Sequence, residues 1–213
     1  MASGSFGPTT AVNERRVGVP DTIPITEDTA ADTVDVLVND TYVEHDPLTI
    51  TAASIDAYGD GTPDVLTIGT PTLIKDNGGN PIGTITVASN GNVTFVPALN
   101  YTGPVPDLHY TPNEGTADGT PALVSFGPQT PVNDPPVALP DTVTAMAGVN
   151  TPVTVVVNDS DSDGDPISIV GVTQGAKGTV VIDGNQVRYT PNANASGTDS
   201  FTYTISDGTT TVT

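Results

Sequence analysis

The sequence predicts an all-β protein: two tandem antiparallel β-sandwich domains joined end to end. Three observations carry that prediction. Apolar residues alternate with a period of two at Val34, Val36 and Val38, at Val153, Val155 and Val157, and at Phe201, Tyr203 and Ile205. That is the periodicity of strands, whose successive side chains point to opposite faces. Asn77-Gly78, Asn90-Gly91, Asp183-Gly184 and Asp207-Gly208 supply hairpin turns between such runs, because these pairs tolerate the positive φ that tight turns need. Finally, one unit is written twice. Val17-Gly-Val-Pro-Asp21 returns as Val137-Ala-Leu-Pro-Asp141, Val34-Asp-Val-Leu-Val-Asn-Asp40 as Val153-Thr-Val-Val-Val-Asn-Asp159, and Asp46-Pro-Leu-Thr-Ile50 as Asp165-Pro-Ile-Ser-Ile169, at offsets of 120, 119 and 119.

Taken in order, residues 1–16 read as a leader or flexible start and are set aside. Residues 17–132 form the first predicted sandwich. Later in the unit Val93-Thr-Phe-Val-Pro97 matches Val187-Arg-Tyr-Thr-Pro191, and Gly103 matches Gly197, both at offset 94. The fall from 119 to 94 means that the first copy carries 25 extra residues between Ser54 and Gly91. An added hairpin, with strands at Leu73–Asp76 and Ile82–Ala88, is the expected form of that insertion. Residues 133–136 are a linker within Pro131-Val-Asn-Asp-Pro-Pro-Val137, whose three prolines fix φ and extend the chain. Residues 137–213 form the second sandwich, with Thr209–Thr213 as its closing strand.

The composition narrows the function classes. Aromatic residues make up 5% of the chain, so its cores are built of Val, Ile and Leu. There are 25 acidic side chains against five Lys and Arg, a net charge of −20. Such a surface repels nucleic acid and anionic membranes and attracts cations. Cysteine is absent, so no disulfide framework exists. No apolar run approaches the length of a membrane span. With 22 Gly and 20 Pro, long helices have little room.

The acid is concentrated at one place. In Val157-Asn-Asp-Ser-Asp-Ser-Asp-Gly-Asp-Pro166, Asp159, Asp161, Asp163 and Asp165 alternate, and nothing basic occurs between Asp141 and Lys177. Neighbouring carboxylates repel by about 0.6 kcal/mol in water and about 2.5 kcal/mol at an effective dielectric of 20. A hard divalent cation reverses the sign, and calcium accepts six to eight oxygens in irregular geometry. Aspartates on alternate residues followed by a glycine are the first half of an EF-hand-type calcium loop. The second half is missing, since Pro166-Ile-Ser-Ile-Val170 reads as a strand, so further ligands must come from elsewhere. Loops of a sandwich gather at its two ends. In an up-and-down reading Glu27 and Asp28 fall at the downstream end of the first domain, Asn133 and Asp134 in the linker, and Asp159 to Asp165 at the upstream end of the second. Ca2+ is the expected cofactor. Asp207 reaches towards the same end, and Asp141 with its counterpart Asp21 follows a proline at each domain's start.

The run Pro-Val-Asn-Asp-Pro-Pro-Val-Ala, then a Glu-Asp-Thr, then Val-Asn-Asp with Asp-Gly-Asp-Pro, then Tyr-Thr-Pro-Asn and Gly-Thr-Asp-Ser-Phe-Thr-Tyr-Thr with Ser-Asp-Gly, resembles the cadherin-like tandem repeats of giant bacterial adhesins. Many of those are exported by type I secretion and carry repeats-in-toxin segments. The Cys…Trp…Cys hallmark of antibody domains is missing, so the domains are immunoglobulin-like in architecture only. The resemblance implies a non-enzymatic extender at the bacterial cell surface, made rigid by calcium at its junctions. Its partners are then neighbouring repeats of the same chain and, through other domains, a host or cell-surface ligand; the chain itself is expected to be monomeric. It also implies a glutamate from one domain, an Asn-Asp linker and an Asp-x-Asp from the next as ligands. Asp159/Asp161 and Asp161/Asp163 both fit that last pattern. The first unit departs from it, with Asp40-Thr-Tyr-Val-Glu-His-Asp46 in place of the alternation, although Asp40, Glu44 and Asp46 can face a preceding repeat and His45 flanks them. The second unit has Ala145-Met-Ala-Gly148 where Glu27-Asp28 stands in the first.

Other chemistries find little support. No nucleophile–base pair is evident, His109 is expected to face solvent on its strand, and no aromatic-lined sugar cleft accompanies the acids. Neither Lys75 nor Lys177 sits in an apolar strand core as an isopeptide lysine would. The competing function is glycan or protein binding by the inserted loops of the first domain, Tyr58–Pro63 and Asp76–Asn80, since long loops are often functional.

Overall fold

The computed structural model describes residues 17–41, 47–115 and 117–213. It separates into two compact units divided between Val132 and Asn133. Among the described residues all regular structure is strand.

The first unit is a two-sheet sandwich. One sheet holds, in order across it, β1 (Asp21–Thr26), β9 (Ala122–Thr130), β8 (Leu108–Asn113), β3 (Thr49–Ile55) and β4 (Asp64–Val65). The other holds β2 (Asp32–Asp35), β7 (Asn92–Pro97), β6 (Pro81–Val87) and β5 (Thr72–Lys75). Alternate residues of both sheets meet in a core that includes Ile23, Ile25, Ile55, Ile85, Phe95, Leu108 and Val124, so the period-two pattern becomes one buried face per strand. β1 pairs with β9 in parallel, Asp21 opposite Val124 and Thr26 opposite Thr130. The downstream ends of the first and last strands therefore lie side by side.

The second unit is a smaller version. Its sheets are β10 (Thr151–Val153), β13 (Gln186–Pro191) and β12 (Gly178–Asp183), and β11 (Ser168–Val172), β14 (Tyr203–Ser206) and β15 (Thr211–Val212). Its core gathers Val153, Val155, Ile169, Val180, Val187, Tyr189 and Ile205. All four predicted Asn-Gly and Asp-Gly pairs fall between antiparallel partners, at the β5–β6, β6–β7, β12–β13 and β14–β15 turns.

Two expectations need correction. Val38 and Val157 do not share the buried face of Val36 and Val155: each is 82% exposed. β2 stops at Asp35 because its carboxylate accepts the Leu37 N–H at 3.0 Å and the Asp40 N–H bonds back to the Leu37 carbonyl, so the chain turns before the alternation is complete. The inserted hairpin is also only half new. β5 and β6 do pair, but β6 is the counterpart of β12. In both, a glycine lies against an aromatic ring of the next strand: a Cβ on Gly83 would stand 2.5 Å from the Phe95 ring, and one on Gly178 2.5 Å from the Tyr189 ring. The extra residues of the first unit therefore supply β4 and β5.

Candidate metal centre

Each unit opens with the same clamp. In the first, Val17 and Thr41 exchange backbone hydrogen bonds, the Val19 N–H donates to Asp40 at 2.7 Å, and the Tyr110 hydroxyl reaches Asp40 at 3.1 Å, Asp21 at 3.2 Å and the Val36 carbonyl at 2.8 Å. In the second, Val137 and Ser160 exchange backbone bonds and the Leu139 N–H donates to Asp159 at 2.8 Å. The Tyr203 hydroxyl lies 3.2 Å from Asp159 and 3.1 Å from Asp141. Burial is the main cause that raises the Asp21 and Asp40 carboxyls above the ordinary carboxylate value, against the lowering effect of their hydrogen bonds. Burial and the facing carboxylates push both tyrosines well above the usual phenol range. The aspartate of the Val-Asn-Asp motif thus ties the opening segment to a late strand. Asp40 does this in a unit without the aspartate alternation, so the role is independent of any metal.

Asp159 therefore stands apart from the three aspartates that follow it. Asp161, Asp163 and Asp165 each offer a carboxylate oxygen within 4.8 Å of the others. The loop is shaped for this. Asp161 Oδ1 accepts the N–H groups of Asp163 and Asp165 at 3.0 and 3.1 Å, and Gly164 at φ 78° makes the turn that a β-carbon would oppose. Asp161 Oδ2 is buried and receives no hydrogen bond. A buried carboxylate oxygen without a donor costs stability.

The linker residues are bound into this end of the second unit. The Asp134 N–H donates to Asp163 at 2.7 Å, and the Asn133 amide donates to Asp207 at 3.0 Å. Asp207 is a hub. Beyond Asn133, it accepts the Thr209 and Thr210 N–H groups, both at 2.6 Å, and the Thr210 hydroxyl at 2.7 Å. The Thr210 hydroxyl and then Asn133 hold its carboxyl far below the ordinary value.

In the first unit Glu27 is 1% exposed at the end of β1. Its N–H donates to the Thr130 carbonyl at 3.0 Å, and its Oε2 accepts the Val132 N–H at 3.0 Å. Parallel pairing of β1 with β9 brings these groups together. Its Oε1, like Asp161 Oδ2, is buried without a hydrogen-bond partner. Asp28 has φ 57° and accepts the Asn100 N–H at 2.9 Å, so one carboxylate oxygen braces the β7–β8 connection.

Other candidates are placed more simply. His109 is exposed on β8, as its strand position predicts. Glu44, His45 and Asp46 lie outside the described residues. The Lys177 ammonium donates to the Ser196 carbonyl at 2.7 Å. In the inserted loops, Asp56 accepts the Asp60 and Gly61 N–H groups, and Asp76 accepts those of Gly78 and Asn80, so these carboxylates brace their own turns.

The twin clamps had a legible half and a silent half. The repeated Asp21/Asp141 and Asp40/Asp159 pairs are visible in the sequence. Their tyrosine partner is not, because Tyr110 and Tyr203 lie far along the chain from the aspartates they meet and no local pattern marks that contact.

An all-β tandem repeat with an acidic loop at one end is the class that fold and site define. Residues 133–213 match the model of a family described as Bacterial Ig domain, and the second unit is accordingly an immunoglobulin-like repeat. A stretch of 44 residues is 52% identical to part of Protein GAMETE EXPRESSED 2 of Arabidopsis thaliana, which is 21% of this chain and 5% of that protein's length.

Proposed function

We propose that the chain is an extracellular extender segment of a large bacterial surface adhesin, stiffened by calcium. It is not an enzyme; it holds a distal adhesive domain away from the cell. The observation that carries the metal assignment is Asp161 Oδ2, buried and without a donor beside Asp163 and Asp165. Glu27 Oε1 repeats the feature in the first unit. All these donors are carboxylate oxygens, the set a hard cation prefers over a soft one.

The proposed ligands fall on both sides of the linker in the sequence. Val132, held by Glu27, directly precedes Asn133, held by Asp207, and Asp134, held by Asp163. Glu27, Asp28, Asn133, Asp134, Asp161, Asp163 and Asp165 are the proposed ligand set, with Asp159 beside it as the brace for Leu139 and Tyr203. Bound calcium supplies positive charge that turns carboxylate repulsion into attraction. The chain's own residues supply oxygens fixed by backbone N–H groups, so that little ordering is left to be done on binding.

Sites in extracellular modules have Kd values of about 0.1–1 mM, which extracellular calcium saturates. Calorimetric titration tests the assignment. The intact chain is expected to release or absorb heat with millimolar calcium, and Asp161→Asn with Asp163→Asn to weaken binding at least tenfold while leaving the far-ultraviolet spectrum unchanged. An identical isotherm for the variant would discard this metal site.

A further inference from the structure

Asn100, in the connection between β7 and β8, shares a feature with Glu27. Its Oδ1 is buried without a hydrogen-bond partner, as Glu27 Oε1 is. Asp28 ties the two residues to one end of the first unit. Its Oδ1 accepts the Asn100 N–H at 2.9 Å across 72 positions of sequence, and Glu27 and Asp28 each offer a carboxylate oxygen within 4.8 Å of the other. Glu27 as a whole is 1% exposed. One end of the unit thus gathers an amide oxygen and two carboxylates, and both Glu27 Oε1 and Asn100 Oδ1 are closed to water with nothing donating to them. The Asn100 loop is held by its own bonds: the Tyr101 N–H donates to the Ala98 carbonyl at 3.1 Å and the Tyr101 hydroxyl to the Pro104 carbonyl at 2.7 Å.

The backbone and the sister unit point the same way. Among the described residues Asp28 (φ 57°) and Asn100 (φ 56°) are the two non-glycine residues with positive φ. Side chains other than glycine enter that region at a cost, and the two that do so here are hydrogen-bonded to each other. The second unit keeps the bend without the side chains. At offset 120 Glu27 and Asp28 become Ala147 and Gly148, and Gly148 has φ 73°, so the turn is made by the residue that forms it at least cost. At offset 94 Asn100 becomes Asn194, which is exposed. An asparagine at this position does not bury its amide oxygen by itself; it does so in the unit that has Glu27 and Asp28.

We propose that Asn100 is a calcium ligand through Oδ1 and completes, with Glu27 Oε1 and the Asp28 carboxylate, the first unit's share of the ligand set; this rests on the calcium reading above. Calcium accepts amide carbonyl oxygens together with carboxylates. A neutral ligand adds coordination without adding to the repulsion between Glu27 and Asp28. With Ala147, Gly148 and an exposed Asn194, the second unit has no such share at its equivalent end.

Calorimetric calcium titration of the intact chain and of its Asn100→Gly and Asn100→Asp variants tests the assignment. Glycine tolerates the positive φ, keeps the N–H that Asp28 accepts and removes the side-chain oxygen. It is expected to weaken calcium binding at least fivefold. Aspartate retains an oxygen and adds charge, and should bind at least as tightly as the parent. In the parent, the Asn100 side-chain amide resonance should shift with the midpoint of the isotherm, a response that a residue merely bracing its loop would not give. Equal affinity of Asn100→Gly and the parent overturns the role of Asn100 and leaves the calcium reading standing. An Asn100 amide resonance that ignores calcium does the same. A parent that binds no calcium overturns both.

Discussion

Tyr110 and Tyr203 each bring a single hydroxyl to two aspartates, which leaves more acceptor oxygens than protons. In the first unit the hydroxyl also reaches the Val36 carbonyl inside the core. Tyr110→Phe strands that carbonyl and should cost about 1–3 kcal/mol, read as a lower urea midpoint for the first unit and an unchanged one for the second. Asp21 and Asp40 of the first unit and Asp207 of the second then respond to pH in opposite senses. Asp21 and Asp40 are raised, so the folded chain binds protons more tightly there than the unfolded chain. Their contribution is complete below the ordinary carboxylate value and is lost as pH rises through the raised values. Asp207 is lowered, so its contribution is present above the ordinary value and lost as pH falls towards the depressed one. Accordingly Asp40→Asn should help the first unit more at pH 7 than at pH 4. Asp207→Asn should harm the second unit more at pH 7 than at about pH 2, well below the ordinary carboxylate value. Urea midpoints at these pH values check both signs, and parallel shifts would contradict them.

At the level of elements, the parallel pair β1–β9 decides where Glu27 acts. An antiparallel partner would have placed the start of a strand beside it; the parallel partner places Thr130 and the exit of the unit there. Glu27 then anchors Val132, the last residue before the linker. Glu27→Ala should speed amide exchange at Val132, while Glu27→Gln, which retains an acceptor, should leave it slow. Both variants should weaken calcium binding, because the glutamine keeps the hydrogen bond but loses the charge. If the glutamine binds calcium as the parent does, Glu27 is a structural anchor alone. Strand length shows the same interplay of local and distant forces. The valine alternation runs on through Val38 and Val157, yet the turns after Asp35 and Val153 end both strands early.

For the whole molecule, the extender reading predicts a calcium-dependent range of bending. Small-angle scattering with millimolar calcium should give a narrower distribution of maximum dimensions than with chelator, and Asp161→Asn with Asp163→Asn should resemble the chelated state. Binding at 100 times Kd favours the bound form by about 2.7 kcal/mol. Profiles that do not respond to calcium would leave a flexible tether. By itself the sequence determined the all-β class, the duplicated unit, the four hairpin turns and the concentration of acid, since each is written in local pattern: a period of two, turn dipeptides, repeated words and adjacent charges. Only the tertiary structure decided which aspartates act together. Asp159 and Asp161 are two residues apart, but Asp159 turns to a tyrosine from a strand far along the chain and Asp161 to its own loop. Glu27 and Val132 lie 105 positions apart and meet because two strands run in the same direction. Periodicity records the face on which a side chain lies; the partner it finds there depends on how distant strands are paired, which no local pattern encodes.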